Sequence, residues 1–164
     1  WVTALETVRT TAMLFMILAA AALFGHAVTI IRLPIEIVEQ VTAIGLSPTM
    51  FVVAVMLLIL VLGMFLETIS IILITTPIVF PVMLALGIDP IWYGILLMIN
   101  LELALITPPV GMNLFVIKGI AKAPLSDVIR GALPYAALMV VVVIKVFVDP
   151  PVSTWLPKVA GFGG

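Results

Sequence analysis

The sequence predicts an all-α integral membrane protein that combines a re-entrant helical hairpin with discontinuous transmembrane helices. Three observations predict it. Apolar residues make up 65% of the 164 and charged residues only 9%, against near half and about a quarter in soluble domains, and mean hydropathy is +1.44. Apolar runs approaching or exceeding the roughly 20 residues that span a bilayer as a helix recur along the chain. Prolines, glycines and carboxylates interrupt two of those runs near their middles, where an uninterrupted span would carry leucines.

Residues 11–31, TAMLFMILAAAALFGHAVTII, form the first apolar run. RLPIEIVEQVTAIGLSP follows, in which Ile35, Val38, Val41 and Ile44 recur every third residue with Glu36, Glu39, Gln40 and Thr42 between them. That is amphipathic helical spacing, and Pro34 fits the first turn, where no N–H is needed. The segment is too short to span. A helix descending to Ile31, a tight tip at Ile31–Pro34 and a short helix returning read as a re-entrant hairpin over 11–46. The other reading of the same residues is a complete first span followed by a surface helix.

Residues 50–86 are about 37 in number, too long for one straight span, and hold a single polar island from Gly63 to Ser70 with Glu67 and Thr68. This stretch is expected as one broken helix. Residues 91–117 carry Asn100, Glu102 and the break T-P-P-V-G at 107–111, giving a second broken helix. The last transmembrane helix is 132–148, stopped by DPPVSTWLP. Lys118, Lys122 and Arg130 mark the loop 118–127 as cytoplasmic by the positive-inside rule. Counting outward puts Gly87–Pro90 and the C-terminus on the opposite face, with Trp92, Tyr93 and Trp155 in its aromatic belt. The chain begins at Trp1 without an initiator methionine or leader pattern, so an N-terminal part is expected before it.

Composition excludes several functions. With a formal net charge of −1 no basic face can neutralise a row of phosphates, so nucleic acid is not a partner. There is no cysteine, hence no disulfide and no thiolate metal site. The chain has no G-x-S-x-G elbow, H-E-x-x-H pair or Walker lysine loop, so neither an enzyme nor an ATP-driven motor is expected within it.

The breaks carry the functional reading. A proline in a helix interior deletes one N–H donor and displaces the carbonyl a turn earlier. In hydrocarbon the freed groups find no water, so unwound backbone survives only inside protein or against a cavity. Unwinding presents carbonyl oxygens, suited to a hard cation such as Na⁺, and helix N-termini, suited to an anion. Thr107, Pro108, Pro109, Gly111 and Asn113 form one such locus, and Gly63, Glu67, Thr68 and Ser70 another. Paired breaks with a hairpin are the sequence sign of a secondary transporter's binding site.

Glu67 lies mid-run, where a carboxylate coordinates a cation, couples protons, or caps the unwound turn. Glu102, before the second break, suits a supporting role, and Asn100 backs either glutamate. Arg32, at the proposed tip, matches a substrate carboxylate bidentately if it lies in the membrane and otherwise sits among headgroups. His26 reads as interfacial, Lys145 as snorkelling to the surface, and the nine methionines as packing.

These residues also match a family. G-M-F-L-E at 63–67, the proline pair Pro77 and Pro81 before G-I-D-P at 87–90, Asn100, T-P-P-V-G followed by N-L-F at 113–115, and R-G-A-L-P at 130–134 occur in the order found in the large membrane subunit of tripartite ATP-independent periplasmic transporters. The chain resembles its C-terminal part. The resemblance implies half of an inverted-repeat, elevator-type permease of the bacterial inner membrane. It implies Na⁺-coupled uptake of organic anions, such as C4-dicarboxylates, sugar acids or keto acids, with a small membrane subunit and a periplasmic binding protein as partners. It implies one hairpin and one broken-helix set of the two that enclose the site. On this reading Arg32, Thr107, Pro108, Pro109 and Asn113 bind substrate, and Gly63, Glu67, Thr68, Thr107 and Gly111 supply the Na⁺ site, with no other cofactor. Leu103–Ala104 departs from the family, where many members carry a glycine. Three other readings of the residues remain: a proton-coupled anion transporter, a channel subunit with the breaks as filter, and an intramembrane enzyme using Glu67 and Glu102 as acid and base.

Overall fold

A computed structural model describes residues 1–161 and is helical throughout its regular structure. The helices are α1 (Val2–Ile30), α2 (Leu33–Ala43), α3 (Pro48–Gly63), α4 (Thr68–Ala85), α5 (Pro90–Leu105), α6 (Met112–Ala121), α7 (Leu125–Val148) and α8 (Pro151–Val159). Among the described residues, α1, α4 and α7 are long and apolar enough to cross a membrane.

Local sequence explains the boundaries. Ser47 accepts the Met50 N–H at 3.2 Å and Pro48 opens the first turn of α3. G-I-D-P encodes the turn between α4 and α5. Gly87, at φ +70°, ends α4, with the Ile88 N–H on the Met83 carbonyl and the Gly87 N–H on that of Leu84, the six-to-one and five-to-two closures of a Schellman end. Asp89 then caps α5 by accepting the Ile91 and Trp92 N–H groups at 2.8 and 3.3 Å, and Pro90 enters where no N–H is required.

The direction of α3, α4 and α5 follows from two contacts and one short link. Asn100 Nδ2 donates to the Met56 carbonyl at 2.8 Å. Further along both helices, a Cβ placed on Gly63 would stand 2.6 Å from the Ala104 Cβ. Residue numbers therefore rise together, and α3 and α5 run parallel. The link Leu86–Asp89 reaches at most about 14 Å, so the end of α4 lies beside the start of α5 and hence beside the start of α3. α4 thus runs back along α3, and Met64–Glu67 is the tip of a helical hairpin.

This corrects the expected division of the chain. Residues 50–86 are the hairpin rather than one broken helix. Their turn is hard to see in sequence because Met64, Phe65 and Leu66 are apolar and only Glu67 is polar. Residues 11–46 are not a hairpin. α1 extends from Val2 for 29 residues, about 43 Å at 1.5 Å per residue. It runs parallel to α4: Ile17 and Ser70 line one shared cleft, and a Cβ placed on Gly25 would stand 3.3 Å from the Pro77 ring. Both ends of α2 are tied to the end of the bundle where α4 finishes, one by the Ile31–Arg32 turn and the other by the four residues before Pro48. α2 therefore lies across that end, as a surface helix does.

T-P-P-V-G, where a broken helix is expected, separates α5 from α6. α7 returns antiparallel to α5, with Trp92 Nε1 donating to the Val146 carbonyl at 2.8 Å and its ring 5.5 Å from that of Phe147, and the earlier part of α7 leaves room for α6 to pack on it. The final helix begins at Leu125, earlier than 132, and carries Pro134 internally. The stop at Asp149–Pro150 holds, yet Pro151 starts α8, because prolines are tolerated in a first turn. The core joins Phe51, Val52, Val55 and Ile59 of α3, Ile71, Val82 and Met83 of α4, and Leu96, Leu97 and Leu101 of α5. Because Gly63 stands opposite Ala104 near the end of α5, the hairpin tip lies about 24 Å along a layer that α7 crosses in about 36 Å.

Candidate functional site

The hairpin tip and the α5–α6 interruption meet. Gly111 N–H donates to the Met64 carbonyl at 3.2 Å, bringing Gly63, Glu67 and Thr68 to the same locus as Thr107, Pro108, Pro109, Gly111 and Asn113.

On the tip side, the Met64 N–H returns to the Leu60 and Val61 carbonyls, and Phe65 and Leu66 both donate to that of Leu62. Glu67 begins α4. Its carboxylate accepts the Ile69 N–H at 3.3 Å, the Ser70 N–H at 3.4 Å and the Ser70 hydroxyl at 3.2 Å. A carboxylate there satisfies orphan N–H groups and faces the positive end of the helix. Glu67 is exposed, and Thr68 beside it is half-buried. Gly63 serves the packing: its missing side chain lets α3 close on Ala104. Here the Leu103–Ala104 departure finds its place, since Ala104 is fully buried against that glycine.

On the other side, Thr107 closes α5 by donating its hydroxyl to the Leu103 carbonyl at 2.6 Å and its N–H to that of Ala104. Pro108 and Pro109 are exposed and bring no donors. Gly111 is buried at φ +55°, a conformation costly for residues with a Cβ. A Cβ there would also lie 3.0 Å from the Thr107 carbonyl oxygen and 3.1 Å from that of Leu105. Glycine is what lets the chain pass these oxygens.

Two chemical features result. Among the described residues, no hydrogen bond reaches the carbonyls of Gly63, Leu105 or Thr107. No side chain caps the start of α6 either, leaving N–H groups at its positive end beside exposed Asn113. The site thus offers hard oxygen donors for a cation and a helix N-terminus for an anion. Its oxygen donors are chiefly backbone, since no group of three or more His, Asp or Glu side chains gathers among the described residues.

Other residues lie apart. Arg32 stands at φ +59° in the α1–α2 turn, beyond the level where Thr29 shares a cleft with Phe80 and Pro81. From Thr68 to Pro81 the α4 axis rises about 20 Å, so Arg32 is at the far end from the tip. The structure therefore does not bring Arg32 together with the other expected substrate ligands. Exposed Glu102 and buried Asn100 point to different surroundings: Asn100 ties α5 to α3, whereas Glu102 makes no ion pair among the described residues. His26 is exposed on α1. Sequence reasoning missed Met64 and Leu105, which act through carbonyls and so leave no mark in residue type. Two clefts, about 550 Å³ between α1 and α4 and about 300 Å³ among α3, α5 and α7, are lined mainly by apolar side chains.

Residues 2–152 match the family model described as "Tripartite ATP-independent periplasmic transporter, DctM component". The chain is 46% identical over 157 residues to a C4-dicarboxylate TRAP transporter large permease protein DctM of Pseudomonas aeruginosa, covering 96% of this chain and 37% of the relative. A protein of the same description from Vibrio cholerae is 44% identical over 149 residues, 91% of this chain and 33% of the relative. The 2,3-diketo-L-gulonate TRAP transporter large permease protein YiaN of Escherichia coli is 34% identical over 157 residues, 96% of this chain and 37% of its own. The chain spans about a third of the length of these curated relatives. With the family model covering nearly all of it, this all-helical membrane chain belongs to the DctM component family of tripartite ATP-independent periplasmic transporters.

Proposed function

We propose that the chain forms one hairpin and broken-helix half of a bacterial inner-membrane permease that imports organic anions by Na⁺ coupling. Its partners on this reading are a small membrane subunit and a periplasmic binding protein, and its substrates are small carboxylates, the class named for its relatives. The observation that carries the proposal is the Gly111–Met64 bond. It joins two helix interruptions at membrane depth, where unsatisfied carbonyls persist only with a ligand, water or protein to receive them.

Na⁺ is held by the Gly63, Leu105 and Thr107 carbonyls, with the Thr68 and Thr107 hydroxyls beside them. The substrate carboxylate lies toward the start of α6 near Asn113, where the helix dipole favours negative charge. Cation binding draws tip and break together, completing the anion site before the solute is carried across. Glu67 supports the tip by capping α4.

The test is uptake of labelled succinate by proteoliposomes holding the full-length permease, its small subunit and its binding protein, with and without an inward Na⁺ gradient. Wild type is expected to accumulate succinate only with the gradient, and Thr107→Val to need more Na⁺ for half-maximal uptake. Uptake indifferent to Na⁺ but driven by a proton gradient would overturn the coupling and move attention to Glu67. Non-saturating flux in both directions would instead indicate a channel.

A further inference from the structure

The nine-residue helix α8 has its amphipathicity turned outward. Val152, Trp155, Leu156 and Val159 are all more than half exposed and follow the i, i+3, i+4, i+7 spacing of a single helical stripe. The opposite side is polar and turned to the protein: Thr154 is 3% exposed, Ser153 and Thr154 hydroxyls donate to the Pro150 carbonyl, and Lys158 reaches Asp89 at 3.2 Å. A helix of this length on a water-exposed surface would carry the reverse arrangement.

The position of α8 decides what covers the stripe. Only two residues separate it from the end of α7 at Val148. That end of α7 is level with the start of α5, where Trp92 donates to the Val146 carbonyl. The Asp89–Lys158 pair returns the far end of α8 to the same level. Both ends therefore lie where a 24-residue apolar span leaves the membrane, and α8 runs along that surface. Trp155 on the stripe and Trp92 beside it occupy the level where amphipathic aromatic rings favour the boundary between headgroups and acyl chains. We infer that α8 is an interfacial anchor: its apolar stripe enters the lipid boundary, and Lys158 on its protein-facing side holds the Asp89 cap of α5, fixing the root of the broken helix at the bilayer surface.

The experiment is electron paramagnetic resonance on the full-length permease, cysteine-free apart from one introduced site, in phosphatidylethanolamine/phosphatidylglycerol vesicles. Nitroxides are attached at Val152→Cys, Trp155→Cys or Val159→Cys, with Asp149→Cys as the loop reference. Stripe positions are expected to collide more with oxygen than with a water-soluble nickel chelate, at a depth of about 5–10 Å below the headgroups, while the Asp149 position favours the chelate. Three separate stripe positions keep the test open should one variant fail to assemble. Stripe labels favouring the chelate would place α8 in water, and labels shielded from both reagents would place it under protein. Either outcome overturns the anchor and leaves the Na⁺-coupling proposal standing, since that reading is tested by uptake.

Discussion

The Gly111 N–H donates to the Met64 carbonyl at 3.2 Å, and through this bond the hairpin tip and the broken helix share one site. The two residues are 47 positions apart in the chain, and parallel packing of α3 and α5 carries them to the same depth. Two contacts set that packing: Asn100 on the Met56 carbonyl, and Gly63 against Ala104. The site is thus built by register between helices.

Gly111→Ala is expected to impair transport more than stability. The substitution forces a left-handed residue with a Cβ, costing about 1–2 kcal/mol, and places that Cβ 2.9 Å from Leu114 Cδ1 and against the Thr107 and Leu105 oxygens. Uptake in proteoliposomes is expected to fall at least about tenfold, the equivalent of about 1.4 kcal/mol. Thermal unfolding of the detergent-solubilised permease provides the comparison. Wild-type uptake by this variant would remove the carbonyls from the mechanism.

Gly63→Ala is expected to destabilise the hairpin by about 1–3 kcal/mol, the range for overpacking, because its new Cβ would meet that of Ala104 at 2.6 Å. Ala104→Gly in the same protein relieves the clash, so the double variant recovers much of the loss. Thermal unfolding of both single variants and the double gives the coupling energy, expected at about 0.5–3 kcal/mol for residues in contact. Additive effects would mean that the two helices do not approach here.

The sequence carried the break at T-P-P-V-G plainly, because two prolines and a glycine alter backbone chemistry that residue types encode. It carried the hairpin poorly. The tip Met64-Phe65-Leu66 is as apolar as the arms, and the one polar residue, Glu67, reads equally as a buried ligand or as the helix cap found here. At Ile31–Pro34 the opposite happened: Arg32 and Pro34 look like a membrane tip, yet they form the turn into a surface helix. Turn chemistry is local, whereas hairpin or span is decided by which helices pack in parallel. The Asn100–Met56 and Gly63–Ala104 contacts that decide it lie 44 and 41 positions apart.

Arg32→Gln tests that relocation. Arg32 is exposed and lies about 20 Å along α4 from the tip, so the substitution is expected to leave the concentration of succinate at half-maximal uptake within about twofold of wild type, a free-energy change of about 0.4 kcal/mol. A rise of about tenfold or more would return the guanidinium to the substrate and require the α1–α2 turn to approach the site during transport.

Asp89 gives the fold a predictable acid limb. Burial opposes its charge, but the Trp92 N–H, the Lys158 ammonium and the Ile91 N–H together outweigh that and hold its carboxyl below the ordinary 3.8. With a folded pKa depressed relative to the unfolded one, the stabilisation is present above about pH 4 and is lost as pH falls through the folded value. Asp89 and Lys158 side chains are 33% and 52% exposed, so solvent screening keeps the ion pair itself within about 1 kcal/mol. Asp89→Asn retains a good helix cap and removes the charge. It is expected to flatten this acid limb with little loss near neutral pH, whereas Asp89→Ala loses the cap and about 0.5–2 kcal/mol at every pH. Lys158→Met is expected to shift the limb toward higher pH, because the carboxyl then protonates more readily. Unfolding midpoints of the full-length permease between about pH 3 and about pH 6 compare the three variants; a wild-type acid limb unchanged by Asp89→Asn would assign the titration to another carboxylate.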